Sequence, residues 1–280
     1  MKDNGILIPV DYTQVSENAV SYAIGLAQKL KSKLVFVHAY SVAYPSGTPI
    51  GMATMAHNVT DTTASQEKIN KEKLDKFLRG FPELDKLEFQ AMVGFGATVD
   101  VISGLAKEMN TSLVVMGTKG TASGFDEIFI GTVTEKVTQK APCPVLAVPE
   151  DASYTAYKRI GVAVDTDSTD YKIDFEMLSR LLENYNAQLH FVHIADKQER
   201  VPEKAFIRER FGKLLVPKQW FFTVIEEDKP EEGIDEFLTE TPIDLLVLLY
   251  REHGFFEALF KKGLRKKMLY ASKAPLLIVK

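Results

Sequence analysis

Short, unbroken apolar runs recur along the chain, separated by stretches in which apolar residues return every three or four positions. The first run, Ile6-Leu7-Ile8-Pro9-Val10, closes on Asp11, and a matching run, Ile160-Gly161-Val162-Ala163-Val164, closes on Asp165. Continuity rather than alternation marks both as strands buried on two faces of a parallel sheet. Each leads through a polar turn into an amphipathic helix. Ala19, Ala23, Leu26, Ala27 and Leu30 share a face in the first, and Phe175, Leu178, Leu182 and Tyr185 in the second. Second strands follow, Leu34–His38 and Leu189–His193, and later Ser112–Met116 matches Asp244–Leu248. The last pair is Ala141–Val148 against Lys273–Val279.

The matches keep one order, so the chain reads as a duplicated domain, residues 1–150 and 157–280, joined by the polar stretch Glu150–Tyr157. Alternating strands and helices imply an α/β fold in each half, a parallel sheet with right-handed crossovers and helices on both faces. Ligands of such sheets sit at the carboxyl ends of the strands. That singles out Asp11, Ala39, Val93–Gly96 and Gly117–Gly120. Tyr40–Thr60, with Pro45, Gly47, Pro49 and Gly51, reads as a long loop leading into a helix around Ser65–Arg79, a surface excursion or a site for a partner protein. Trp220-Phe221-Phe222 reads as strand core.

Hydrophobic residues are 45% and charged residues 26% of the 280, enough for each half to bury a core of its own. A net charge of −4 argues against a general role on nucleic acid. No apolar stretch approaches the roughly 18 residues that span a bilayer, and the N-terminal residues lack the apolar core of a signal peptide. A cytoplasmic protein without membrane contact is expected. The single cysteine, Cys143, excludes an internal disulfide and suits an inert core position. His38 and His193 close equivalent strands, which suggests packing and hydrogen bonding rather than metal binding. The basic run Lys261–Lys267 reads as a solvated helix face.

The segment richest in chemistry is Met116-Gly117-Thr118-Lys119-Gly120, then ten residues, then Gly131-Thr132-Val133. It leaves a buried strand and reaches a helix start, Thr132–Lys140, where Thr132 and Glu135 have capping-box spacing. Free N–H groups and the positive dipole end make a helix N-terminus a phosphate site. Glycines at 117, 120 and 131 let the backbone approach phosphate oxygens, and Lys119 adds a charge-assisted contact. The nucleophile, zinc-protease and Walker A motifs are all missing.

This segment resembles the nucleotide motif of the universal stress proteins, G-x2-G-x9-G-[S/T], with ten residues here in place of nine. Asp11, the Val37-His38 strand end and the Pro-Cys-Pro-Val-Leu final strand extend the resemblance over both halves. It implies two tandem Rossmann-like domains of the adenine nucleotide α-hydrolase-like type, each with a five-stranded, mainly parallel sheet. In that family Asp11 would approach the ribose or adenine, and Ala39, Met116 and Gly117 would line the base pocket. Gly120, Gly131, Thr132 and Val133 would hold phosphates. The implied ligand is ATP, ADP or AMP, with Mg²⁺ as a metal that Asp11 could hold, in a stress-response protein acting as a binding or regulatory module. A slow ATPase and a nucleotide-free scaffold or holdase remain open. The last strands would pair the halves into an internal pseudo-dimer, with further homodimerisation open. In the second half Leu249, Glu252 and Lys262 stand opposite Gly117, Gly120 and Gly131, and Glu226-Glu227-Asp228 opposite Val93-Gly94-Phe95. One nucleotide site per chain is therefore expected.

Overall fold

The computed structural model describes residues 5–41, 55–118, 132–164, 174–195, 204–215, 219–250 and 274–280. The first half contributes β1 (Ile6–Pro9), α1 (Gln14–Leu30), β2 (Leu34–Tyr40), α2 (Met55–Leu78), β3 (Phe89–Phe95), α3 (Thr98–Glu108), β4 (Leu113–Thr118), α4 (Thr132–Lys140) and β5 (Val145–Pro149). The second contributes β6 (Arg159–Ala163), α5 (Glu176–Tyr185), β7 (Gln188–Ala195), α6 (Lys204–Leu215), β8 (Trp220–Glu226), α7 (Pro230–Glu240), β9 (Leu245–Leu249) and β10 (Leu276–Val279).

The apolar runs give strands with fully buried interiors because both sheet faces are covered. Ile6, Ile8, Leu34 and Phe36 pack into one layer with Val20, Ala23, Leu26 and Ala27 of α1. Leu7, Val35, Val37 and Val114 face the other way, onto Ile102 of α3 and Val137 of α4. The strands form one sheet in the order β3-β2-β1-β4-β5-β10-β9-β6-β7-β8. Two five-strand arrays thus merge at β5 and β10, which pair antiparallel, Leu276 to Ala147, Leu277 to Leu146 and Ile278 to Val145. The other recorded ladders are parallel.

Several elements differ from the sequence reading. The helix expected from Ser65 begins at Met55, so the Tyr40–Thr60 loop is shorter than its composition suggests; residues 42–54 lie outside the described ones. His38 and His193 sit inside β2 and β7 rather than at their ends. Trp220–Phe222 lies on an outermost strand, where Phe221 is 42% exposed and stacks on His190 with ring centroids 4.6 Å apart. Edge position, rather than composition, leaves that side chain half in water. Strand register also moves one comparison. Val93, Gly94 and Phe95 pair with His38, Ala39 and Tyr40, while Val224, Ile225 and Glu226 pair with His193, Ile194 and Ala195. Glu226 alone therefore stands in the place of Phe95, and the triplet opposite Val93–Phe95 is Val224–Glu226.

The joint is more than a polar connector. Tyr157 is buried and accepts a hydrogen bond from Tyr22 of α1 at 2.9 Å, and the hydroxyls of Tyr154 and Tyr185 lie 2.6 Å apart. Room for Tyr154 comes from Gly25, where a Cβ would fall 2.2 Å from the ring. Asn18 on α1 donates to the carbonyls of Pro149 and Ala152 at 2.8 and 2.9 Å, fixing where the chain leaves β5. Burial pushes the pKa of all four tyrosines above their ordinary 10.0. The folded chain therefore keeps phenolic protons that the unfolded chain releases from pH 10 upward. Stability from this source is complete below that pH and falls above it. Urea unfolding measured from pH 9 to 11.5 should show the decline, with a shallower slope in Tyr157→Phe. The same slope in both proteins would contradict the assignment.

Candidate functional site

Strand order places a crevice at the carboxyl ends of β1 and β4. From β1 the chain steps outward to β2 and β3, then crosses back to β4 on the other side. The helices after β1 and β4 consequently leave on opposite faces, and a gap opens between their first turns. A cleft of about 340 Å³ occupies it, within the range of small-ligand sites.

Its first wall is the turn after β1. Val10 donates its N–H to Val37 O at 2.8 Å, tying the end of β1 to β2. Asp11 is exposed at the mouth, and its Oδ1 accepts from Thr13 N at 3.1 Å and Thr13 Oγ1 at 2.6 Å. Thr13 is the N-cap of α1, its side chain accepting from Ser16 N. Asp11 thus props the capping residue with one oxygen and keeps the other for the cleft. Between them Tyr12 adopts φ 66°, a left-handed conformation costly for a bulky side chain. Its ring packs on His38 at 4.6 Å and edge-on to Phe77 of α2 at 5.4 Å, which holds the turn in place. Burial, and secondarily the Asp75 carboxylate, pushes the Tyr12 pKa up to about 12, so this hydroxyl stays neutral.

The second wall comes from β2. His38 Nδ1 lies 2.7 Å from Val10 O, and His193 Nδ1 lies 3.1 Å from Val164 O at the matching place in the other half. A carbonyl can only accept, so each Nδ1 carries a proton and each ring ties two adjacent strands. Ala39 follows at the cleft, paired with Gly94.

The floor is β4. Met116 is 7% exposed, and Gly117 lies against the first turn of α1, where a Cβ would fall 2.5 Å from both Val15 Cγ1 and Val15 O. Close approach of backbone to backbone explains this glycine before any ligand is considered. Gly117→Ala must push α1 or β4 aside, an overpacking cost of about 1–3 kcal/mol. A lowered urea midpoint with unchanged m would show it; wild-type stability would refute the contact.

Thr132 and Val133 open α4 on the far side, with Val133 exposed. The cleft therefore gathers Asp11, Ala39, Met116, Gly117, Thr132 and Val133, six of the nine residues singled out from the sequence. Lys119, Gly120 and Gly131 lie outside the described residues, as do Lys261–Lys267. Sequence reasoning missed Thr98 and Ile102, which line the cleft from α3. The N-cap of that helix, Ala97, offers no side-chain bond, so its first turn, which Thr98 brings to the cleft, keeps backbone N–H groups without a side-chain acceptor. Pro9, Val10, Val15 and Val37 add apolar walls, and Thr13, Ser16, Thr98, Thr132 and Thr134 add hydroxyls.

The arrangement has an apolar slot, hydroxyl groups at its rim, and three helix N-termini converging on it. It suits a flat apolar ring joined to a polar, anionic tail. Asp11 is the one acid among the described residues that line the cleft, which suits Mg²⁺ arriving on phosphates better than a protein-built metal cage. Among the described residues no helix is long and apolar enough to cross a membrane, and no three His, Cys, Asp or Glu side chains group as metal ligands. Cys143 is buried, and burial pushes its thiol up to about 11.

Comparison with known proteins places this geometry. The model of the universal stress protein family matches residues 4–149. The universal stress protein YxiE of Bacillus subtilis is 26% identical over 146 residues, 52% of this chain and 98% of its own length. A universal stress protein of Thermus aquaticus is 30% identical over 143 residues, 51% of this chain and 96% of its own. Among solved structures, a universal stress protein from Archaeoglobus fulgidus superposes with a TM-score of 0.71 over 99% of this chain and 98% of its own, at 17% identity. That likeness is one of fold, a Rossmann-like α/β architecture across both halves.

Proposed function

This chain belongs to the universal stress protein family, and we propose that residues 1–150 form a domain that binds an adenine nucleotide, ATP, ADP or AMP, in the cleft between β1 and β4. Residues 157–280 form a second, degenerate domain of the same kind. The protein acts as a cytoplasmic binding or regulatory module, and occupancy of the cleft is its signal. One observation carries the reading: Asp11, Ala39, Met116, Gly117, Thr132 and Val133, chosen from strand ends and a glycine motif, converge on one cleft at the switch in strand order.

In this reading the base lies in the apolar slot beside Ala39, Val37 and Met116. The ribose reaches Asp11, whose carboxylate can accept from its hydroxyls. The phosphates meet the N-terminus of α4 at Thr132 and Val133, with Gly120, Gly131 and Lys119 completing their cradle. Nothing in this assignment asks for bond cleavage.

Backbone donors and one lysine should give micromolar affinity, about −8 kcal/mol. Protein purified without added nucleotide, heat-denatured and analysed by mass spectrometry should release an adenine nucleotide, and calorimetry on the emptied protein should return that affinity. No nucleotide in the first experiment and no heat in the second would end the reading.

A further inference from the structure

Two of the three helices that open onto the cleft are held at their far ends by cations from the other half of the chain. Arg180 on α5 donates through Nη2 to Leu30 O, the last carbonyl of α1, and to Ser32 Oγ, each at 2.8 Å. Lys280, just past β10, donates through Nζ to Gln139 O at 2.8 Å and Ala141 O at 2.9 Å, at the end of α4. Terminal carbonyls of a helix lack intrahelical donors and carry its partial negative charge, so cations are favoured there. The opposite ends of the same helices supply Thr13, Val15 and Ser16, and Thr132, Val133 and Thr134, to the cleft. All three helices also close on their own backbone, but among the described residues no hydrogen bond from the second half reaches the end of the third, α3, where Met109 N donates to Leu105 O and Thr111 N to Ala106 O.

These clamps run in one direction. Helices α1 and α5 both end on a left-handed cap, Lys31 and Asn186, three residues before the matching strand positions Leu34 and Leu189. Counting back from those caps, the counterpart of Arg180 in the first half is Gly25, which has no side chain and is covered by Tyr154. On the final strands Val148 pairs with Gly117, and Val279 pairs with Leu249 in the same register. The counterpart of Lys280 is therefore Pro149, which has no donor to offer. At these two positions the second half reaches into the first, and the first cannot reciprocate.

We propose that Arg180 and Lys280 are positioning residues for the cleft, so that the second half orders the ligand site of the first. The proposal rests on the nucleotide reading given above. A helix moves as a rod. Fixing the far end of α1, about 25 Å away, and of α4, about 13 Å away, limits the tilt of the first turns that meet the ligand. Tilt suppressed before binding need not be suppressed by the ligand, and affinity rises accordingly.

The test uses the full chain with Arg180→Ala, Lys280→Ala, the double variant, and the conservative Arg180→Lys and Lys280→Arg. Each helix-end cation should account for about a two- to fivefold change, so ATP should bind the double variant about tenfold more weakly. The conservative variants should recover most of this. Hydrogen exchange should quicken in the second turns of α1 (residues 18–21) and α4 (residues 136–139), while α3 (residues 102–105) stays as in the wild type. Unchanged affinity in the double variant, or exchange that quickens equally in α3, would overturn the proposal. Should the wild type bind no nucleotide, the reading of the cleft fails by itself. The exchange comparison then still decides: unchanged rates in α1 and α4 reject the brace.

Discussion

Titration of the intact chain with ATP is expected to saturate at one nucleotide per chain, and a Gly117→Ala/Gly131→Val double variant to bind none. The strand ladders make the comparison between halves definite. Ile6 pairs with Leu113 and Ile160 pairs with Leu245, so Gly117 and Leu249 fall four residues along equivalent strands. The other neighbour agrees, with Gly117 beside Val148 and Leu249 beside Val279. At Gly117 even one carbon would collide with Val15, whereas Leu249 is 2% exposed and fills the corresponding place with a whole side chain. By sequence alignment Glu252 and Lys262 stand opposite Gly120 and Gly131. At an effective dielectric near 20, a carboxylate ~4 Å from a phosphate charge costs about 4 kcal/mol. That is roughly a thousandfold in affinity. Lys262 returns some charge but no room. Two equivalent sites, or a site that survives the double variant, would reverse the assignment of which half binds.

How far the sequence announced this site depends on the kind of signal each residue gave. The strands before Asp11, Ala39 and Gly117 are unbroken apolar runs, legible without knowledge of their neighbours, and the strand-end rule then located the cleft. Thr98 and Ile102 gave no such signal. They belong to an ordinary amphipathic helix, and only the crossover after β3 turns its first turn toward the cleft. Tyr12 was equally silent, because a left-handed φ at a tyrosine is fixed by its contacts with His38 and Phe77, far apart in the chain.

Other misreadings share a physical cause. Met55–Ala64 includes Asn58, Thr60, Asp61, Thr62 and Thr63, residues of modest helix propensity, so the early start of α2 was masked by composition. The outermost strands β3 and β8 are only partly buried. Without a continuous apolar run to fix their register, sequence places Glu226–Asp228 opposite Val93–Phe95, two residues beyond the true match Val224–Glu226. In the joint, Tyr154 and Tyr157 look like polar-linker residues until Tyr22, Gly25 and Tyr185 are brought to them by the fold.

Residues 1–150 produced alone are expected to form a two-fold symmetric dimer through β5. In the full chain Val145, Leu146, Ala147 and Val148 are at most 2% exposed, and β10 covers the outer edge of their strand. Removing the second half bares that edge and several apolar side chains, each worth about 1.5–3 kcal/mol when buried. An uncovered strand edge offers its N–H and C=O groups to any strand that fits. The register shows that a second copy fits. Val145 and Leu276 are equivalent, as are Leu146 and Leu277, and Ala147 and Ile278, since Val114 pairs with Val145 and Leu246 with Leu276. The antiparallel ladder joins Leu276 to Ala147, Leu277 to Leu146 and Ile278 to Val145. The internal two-fold axis thus passes between Leu146 and its own counterpart, and two copies of β5 can repeat the ladder about Leu146 without a shift. The copies would lose Tyr157 as the partner of Tyr22, and with it the Arg180 and Lys280 contacts, so the dimer should be less stable than the covalent pair. Sedimentation equilibrium at micromolar to hundred-micromolar concentrations should give a dimer mass that falls on dilution. A folded fragment that stays monomeric throughout that range would show that β5 does not need a partner strand.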